Sequence, residues 1–356
     1  MAIYHLDSSF SPEEWSNYLQ VNNSATVYHT LEWRSVLEEV FRYKTHYLVC
    51  RDDRGNVVGV IPLAFVKSWI TGSRVVSLPL SQYGGPLTTD EGALATVLEY
   101  LRGYLEKGFE YVRMRNRDAL NEDAVASFCL KTSDYFSRCF IPLAHRSLDD
   151  VWKSMDKGSV RWAINQSRKH GIIVDSCNDM NDVNRIRDLM YQTCKRHGTP
   201  AYPAQLLNAI MNRLAANNFA KVFVARLQEK IVAALVLFTM SKEGIYAYNF
   251  SDEKYLDSYP NNALLWAAIK WSMDNELRLF DMGISSPHDK ELFAFKMRWG
   301  ATAAKLHDYF IGANEQLVSA PDRRSSRKYA SATTIWKLIP GLLANRLGPR
   351  LIRHLE

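Results

Sequence analysis

The sequence is short of cysteine and has no long apolar run, and each shortage removes a class of protein. Its five cysteines, Cys50, Cys129, Cys139, Cys177 and Cys194, are odd in number and never spaced as C-x-x-C. That excludes a disulfide framework and a zinc knuckle, and they read as reduced structural thiols with no metal implied. No stretch approaches the roughly 18 consecutive apolar residues of a spanning helix. The opening MAIYHLDSSFSPEEW has neither the basic start nor the apolar run of a signal peptide. A cytoplasmic chain is expected. The signatures of covalent and metal catalysis are missing as well: there is no G-x-S-x-G, no H-E-x-x-H and no Cys/His pairing.

What is present is apolar and aromatic bulk. With 47% apolar and 12% aromatic residues over 356 positions, the chain can bury a large core and is long enough for two domains. The net charge of +6 is concentrated at the carboxy terminus, where residues 320–356 hold eight basic and two acidic residues, so the rest of the chain is neutral. A protein that coats nucleic acid spreads basic surface over its folded body, and no DNA partner is expected here. In the tail, Ile335, Ile339, Leu342, Leu343, Leu347, Leu351 and Leu355 recur at helical intervals between arginines, with Pro340 and Pro349 expected to break it into short pieces. Two readings stand side by side. Trp336 and the leucines enter a lipid headgroup boundary while arginines meet anionic lipid, or the segment docks on the protein's own core.

An internal repeat organises the remainder. THYLVCRDDRGNVVGVIPLAFV (45–66) carries β-rich runs on both sides of a polar turn, and AKVFVARLQEKIVAALVLFTM (220–240) repeats the arrangement around Gln228, Glu229 and Lys230. The strands leaving both turns are almost wholly apolar, as in a sheet covered on both faces. Each hairpin is followed by an amphipathic helix, 92–108 and 262–276, and then by a strand, FEYVRMRN or LRLFDMG. A helical stretch also precedes each, 31–41 and 182–198. This predicts an α/β (α+β) chain with mixed, largely antiparallel sheets flanked by helices, divided as 1–145, 146–313 and a tail 314–356.

The run LFDMGISSPHDKELFAFKMRWGATAAKLHDYFI (279–311) resembles FemAB-like proteins of the GNAT acyltransferase superfamily. In those, a strand ending Asp-x-Gly is followed by a loop, Phe-Lys and an aromatic-Gly pair, here Asp281, Gly283, Phe295, Lys296, Trp299 and Gly300. SVRWAINQSRKHGIIV (159–174) is similar to the family's Arg-x-x-Ile helix, and GTPAYP (198–203) to a loop of its envelope and exopolysaccharide branch. The resemblance implies two tandem GNAT-like domains over about residues 20–312. It implies transfer of an acyl group from coenzyme A, or an aminoacyl group from tRNA, to an amine on a peptidoglycan or envelope polysaccharide precursor. No tightly bound cofactor is expected, and tRNA is a partner only as donor. Two departures narrow the donor. The long helical hairpin of the tRNA-dependent members is missing, and NFSDEKYLDSYPNNALL stands where a glycine-rich pyrophosphate loop would be.

Aminolysis of an ester or thioester needs a neutral amine, an aligned carbonyl and donors for the developing oxyanion, so positioning can dominate. Lys296, flanked by Phe295 and Trp299, and Asp281, ending an apolar strand, are the candidate catalytic residues. The alternatives are a solvated surface lysine and an Asp that caps its own loop. Arg161 is a candidate phosphate fork or one more charge on a solvated helix. Tyr248, Asn249 and Trp299 are candidate substrate contacts, with Tyr246 and Tyr248 expected on one face of a strand. In SQYGGPL (81–87), Tyr83 and Gln82 beside Gly84 and Gly85 are candidates for acceptor contact, or members of a plain sharp turn. The nine histidines are isolated; His197 and His288 alone fall near candidate loops. An alternative function is a non-catalytic module of the same architecture that recruits a precursor or partner enzyme to the membrane.

Overall fold

The computed structural model describes residues 3–177, 179–319 and 327–354, with backbone alone for 327–330. Arg323 and Arg324 of the basic tail lie outside the described residues. Residues 3–137, 305–319 and 353–354 form one unit; 138–304 and 327–352 form the other.

The first unit holds β1 (His5–Asp7), β2 (Lys44–Arg51), β3 (Val57–Ser68), β4 (Gly72–Val76), β5 (Leu87–Thr88), β6 (Tyr111–Asn116) and β7 (Lys131–Ser133). The second holds β8 (Ser137–Pro142), β9 (Ile172–Ser176), β10 (Ala220–Leu227), β11 (Lys230–Met240), β12 (Glu243–Ser251), β13 (Leu279–Ser285) and β14 (Thr302–Lys305). A last strand, β15 (His307–Ile311), pairs with both β6 and β7, so it belongs to the first unit rather than the second, where it was expected. The sheet orders are β1-β2-β3-β4-β6-β15-β7, with β5 beside β3, and β14-β8-β13-β12-β11-β10-β9.

Both expected hairpins form, β2–β3 and β10–β11, with register shifts at Arg51, the last residue of β2, and at Arg226, the last but one of β10. Both expected helices form as well. Glu91–Glu106 starts on Asp90, whose carboxylate accepts from the Ala93 N–H, and packs Leu94, Val97, Leu98 and Leu101 onto β2, β3 and β6. Pro260–Asp274 buries Leu264, Leu265, Ala268 and Ile269 against β10 and β11. Each fully buried aliphatic side chain of this kind contributes about 1.5–3 kcal/mol. Both helices cross over to a parallel partner, joining β4 to β6 and β12 to β13.

The tail docks on its own unit. Helices Arg327–Leu338 and Gly341–Leu351 pack on helix Met180–His197. Lys195 Nζ donates to the carbonyls of Trp336 and Ile339, and Trp336, Ala344 and Ile352 are buried. Pro340 separates the two helices as expected, but Pro349 does not end the second. Gly348 before it has no side chain to meet the ring, and Pro349 forgoes a single bond, to the Asn345 carbonyl, in a helix that runs only two residues further. Leu338, Leu342, Leu343 and Leu347 face outward, the first two 80% and 89% exposed, and Leu355 lies outside the described residues.

A Cβ at Gly348 would lie 2.4 Å from the Ala201 amide nitrogen. Gly348→Leu is therefore expected to lose about 1–3 kcal/mol and release the second tail helix. Limited proteolysis should then cut near residue 340 in the variant and not in the parent.

Candidate functional site

The parallel ladder between β12 and β13 holds three residue pairs, Glu243–Leu279, Gly244–Phe280 and Ile245–Asp281. Beyond them β12 runs to Ser251 and β13 to Ser285, and no further pair joins them among the described residues. Two local devices coincide with this opening. On β12, Ala247 is an extra residue: Tyr246 lies opposite Leu237 and Tyr248 opposite Val236. On β13, Gly283 adopts φ +80°, a left-handed conformation that glycine alone takes without strain.

The Asp281, Gly283 and Lys296 motif holds that bend. Asp281, wholly buried, accepts from the Gly283 N–H at 2.6 Å and from Arg138 Nε at 2.7 Å. Lys296, 3% exposed, donates to the carbonyls of Gly283 at 2.9 Å and Ile284 at 2.8 Å. Two successive carbonyls reach one ammonium because the turn at Gly283 breaks strand alternation. Arg138, on β8, also meets Glu243 at 3.4 Å. Lys296 is thus no solvated surface residue, and Asp281 does cap its loop.

The bulge corrects the expectation for the tyrosines. Tyr246 packs with the core under helix Pro260–Asp274, whereas Tyr248 points to the opposite face, edge-on to Tyr202 and Phe238. Asn249 pairs with Leu235, whose side chain belongs to the helix-side core, so Asn249 shares the face of Tyr246. Its Nδ2 is buried without a partner, as is Oδ1 of Asn261 at the start of the helix. Asn261 Nδ2 meets Ser251 Oγ at 3.4 Å.

In place of a glycine loop, residues Glu253–Ser258 form a 3-10 turn, Tyr259 takes the left-handed conformation at φ +56°, and Pro260 opens the helix. No side chain caps that helix start, which leaves it suited to an anion. Trp162, half exposed, stands edge-on to Tyr259 with ring centres 5.2 Å apart. Arg161 precedes it at the end of a π-helical turn, Lys157–Arg161, and its Nε is buried without a partner. Trp299, expected as a substrate contact, is instead wholly buried beside Phe295 in the core, where its ring packs rather than faces a ligand.

In the first unit the corresponding parallel pair is filled by the chain itself. After Arg74–Tyr111, Val75–Val112 and Val76–Arg113, the Ser77 N–H donates to the Arg113 carbonyl, and the Gly84 and Gly85 N–H groups donate to that of Arg115. The two glycines admit Leu78 and Asn116: a Cβ at Gly85 would lie 2.0 Å from Asn116 Oδ1. Tyr83 is 2% exposed and lines a cavity of about 270 Å³ with His29, Asp90, Glu91 and Asp118.

His29 gave no signal in the sequence. Its Nδ1 accepts from the Thr26 N–H at 3.1 Å, so its Nε2 carries the proton donated to the Gly85 carbonyl at 3.0 Å. Burial holds its pKa down to about 4. Arg138 was also missed; a lone arginine in the apolar strand SRCFIP is its only trace.

The family model described as "Acetyltransferase (GNAT) domain" matches residues 157–305. That span contains the opened strand pair. Among solved structures the chain is similar to FemX, with a TM-score of 0.66 at 14% identity over 86% of this chain and 98% of that one. L-PGS from Bacillus licheniformis gives 0.58 at 13% identity, covering 92% and 96%. A tandem GNAT protein from the clavulanic acid biosynthesis pathway gives 0.54 at 10% identity, covering 88% and 100%. The chain shares its fold with these structures, and its second unit carries the match to the GNAT domain model. Comparison with curated protein sequences finds no match. For a GNAT acyltransferase fold, the open strand pair of the second unit is the feature that separates its two halves, because the first unit closes its own.

Two outcomes are expected. Arg138→Met leaves the Asp281 carboxylate buried without its guanidinium and should lower unfolding free energy by about 3–5 kcal/mol; Asp281→Asn added to it should recover part of the loss in chemical denaturation. His29 stays neutral in the fold, whereas an unfolded chain takes up its proton below about pH 6.5. Stability is therefore full above that pH and falls by about 3 kcal/mol as pH drops towards 4. His29→Gln should flatten that slope.

Proposed function

We propose that the chain is an N-acyltransferase that moves an acyl or aminoacyl group from an activated donor to an amine, with the donor carbonyl lodged between the separated ends of β12 and β13. The observation that carries this reading is the early end of the β12–β13 ladder, which frees backbone donors and acceptors at the centre of a sheet. The amine nitrogen attacks the carbonyl carbon, the C–S or C–O bond breaks, and the leaving group departs with the proton that the nitrogen loses. Backbone N–H groups of β12 and Asn249 Nδ2 meet the oxyanion during that step.

Lys296 and Asp281 serve here as positioning residues, since their polar atoms hold the Gly283 bend rather than face a ligand. Trp299 supports them from the core. Arg161 and the uncapped start of helix Pro260–Asp274 receive a phosphate of the donor, either coenzyme A or an aminoacyl-tRNA end. Tyr248, on the other face, contacts the acceptor side with Tyr202. Within the first unit alone, the carboxylates of Asp90, Glu91 and Asp118 around Tyr83 suit an ammonium group. An envelope precursor is the acceptor class that the Fem-type resemblance favours. The tail adds peripheral membrane contact at the cytoplasmic face, with exposed Leu342, Leu343 and Leu347 between Lys337, Arg346 and Arg350. No described helix is long and apolar enough to cross a membrane.

Purified protein offered acyl-coenzyme A thioesters or aminoacyl esters with lipid-linked amines should form an amide. A binding donor should also raise the unfolding midpoint, by a free energy of about 2.7 kcal/mol at about 100-fold excess over Kd. Asn249→Ala should weaken donor binding roughly tenfold while leaving the midpoint of the free protein in place. Absence of both amide formation and donor-induced stabilisation sinks the proposal, and stabilisation without amide favours the recruiting module.

A further inference from the structure

A second cavity, about 580 Å³, lies wholly in the first unit, between the amino-terminal part of β2, the outer part of β3 and the end of helix Glu91–Glu106. Its described lining contains Arg42, Lys44, Lys67, Lys107 and Arg353, and no acid. Its walls are aromatic: Tyr43, Phe65, Tyr104 and Phe109. Lys67 lies over the Phe109 ring at 5.7 Å, and Lys107 over Tyr104 at 4.9 Å, so two of the ammonium groups are drawn against the walls. The chain's last described turn closes one side. The Tyr43 hydroxyl donates to the Arg353 carbonyl at 3.0 Å, and the Thr71 hydroxyl to that of His354 at 2.9 Å. His354 Nδ1 is buried without a partner.

Five cations around one hollow repel one another, and the described residues supply no carboxylate there to offset them. An anion of the ligand supplies the missing charge, and a tetrahedral phosphate offers acceptors to several donors at once. Beside the cavity, the tip of the β3–β4 hairpin carries Trp69, 84% exposed, and Ile70, 45% exposed. Trp69 stands edge-on to His354 with ring centres 6.4 Å apart, which ties the apolar tip to the cavity rim. An exposed Trp-Ile pair next to a cationic pocket suits a molecule with a phosphate at one end and hydrocarbon at the other.

We propose that this cavity binds the phosphate of an anionic amphiphile, with Trp69 and Ile70 meeting its apolar part. The site is separate from the opened strand pair of the second unit and does not depend on what that pair transfers. The phosphate can belong to a lipid or to a free phosphate compound, and the apolar tip is what favours the lipid.

The test is calorimetric titration of the full chain with a short-chain phosphatidate below its micelle concentration, with inorganic phosphate, and with a short-chain phosphatidylcholine. The phosphatidate is expected to bind, inorganic phosphate to bind at least tenfold more weakly, and the zwitterion to give no saturable heat. Lys67 and Lys107 are exposed, so Lys67→Gln with Lys107→Gln should fold normally. That pair should weaken phosphatidate binding roughly twenty-fivefold, at about fivefold per charge, and Trp69→Ser should erase its advantage over inorganic phosphate. Equal binding by parent and double variant overturns the site, as does the absence of phosphatidate binding. Equal affinity for phosphatidate and inorganic phosphate overturns the amphiphile.

Discussion

The second unit is organised by the point at which β12 and β13 stop pairing. Parallel strands at the centre of a sheet normally bond along their whole length, because each buried N–H or C=O left alone costs as much as a lost hydrogen bond. Here three pairs form and the ladder ends at Ile245–Asp281. The bend that ends it is fixed by charges drawn from three elements: Asp281 on β13, Arg138 on β8 and Lys296 on the following helix. Removing water from these groups costs several kcal/mol per ion, and the hydrogen bonds to Gly283 and Ile284 are what offset it. A low-dielectric clamp of this kind gives a rigid opening. Rigidity is what a positioning mechanism requires, since the donors must already point where charge develops.

The first unit shows the same scaffold put to another use. Its helix Glu91–Glu106 also joins parallel strands that pair three residues deep, yet the segment Ser77–Gly85 returns and satisfies the carbonyls of Arg113 and Arg115. The side chains of those arginines converge instead on Asp308, which is 2% exposed and lies 2.7 and 2.9 Å from them. Asp308 sits on β15, the strand that follows the whole second unit in the chain. Folding of the first sheet therefore waits for residues some 190 positions later than β6, a contact of high sequence separation that slows assembly and ties the two ends of the fold into one cooperative unit. Hydrophobic patterning assigns FEYVRMRN to a strand but carries no information on its pairing with β15.

How much was legible follows the same division between local and distant causes. The hairpins, the helices after them and the order of both halves were readable because turn residues and apolar period are local signals. Asp281, Gly283 and Lys296 were readable as a motif and not as a geometry. Their spacing is that of residues that meet across a bend, and nothing in it says whether the ammonium faces a ligand or the two carbonyls it holds. Tyr246 and Tyr248 failed for a simpler reason: an alternation argument assumes a period of two, and one extra residue at Ala247 reverses every face beyond it. Arg138 and His29 were illegible because what makes each matter, Asp281 and Gly85, is supplied by a partner that folding alone brings near.

The tail shows where apolar periodicity misleads. In the docking reading the leucines would be the buried face, yet the residues that dock are Trp336, Ala344, Gly348 and Ile352, two of them small and the last three spaced by four. Small residues at that spacing let a helix backbone approach another closely, and the Gly348 backbone does so at Ala201. With the small face spent on the protein, Leu338, Leu342, Leu343 and Leu347 are exposed, in a stretch that also carries Lys337, Arg346 and Arg350. A helix that buries its glycine and exposes its leucines forgoes apolar burial worth about 1.5–3 kcal/mol per leucine. Docking and the interfacial contact proposed above therefore would not compete for this segment. The small face is held by Lys195 and Ala201, which leaves the leucine face for the proposed contact.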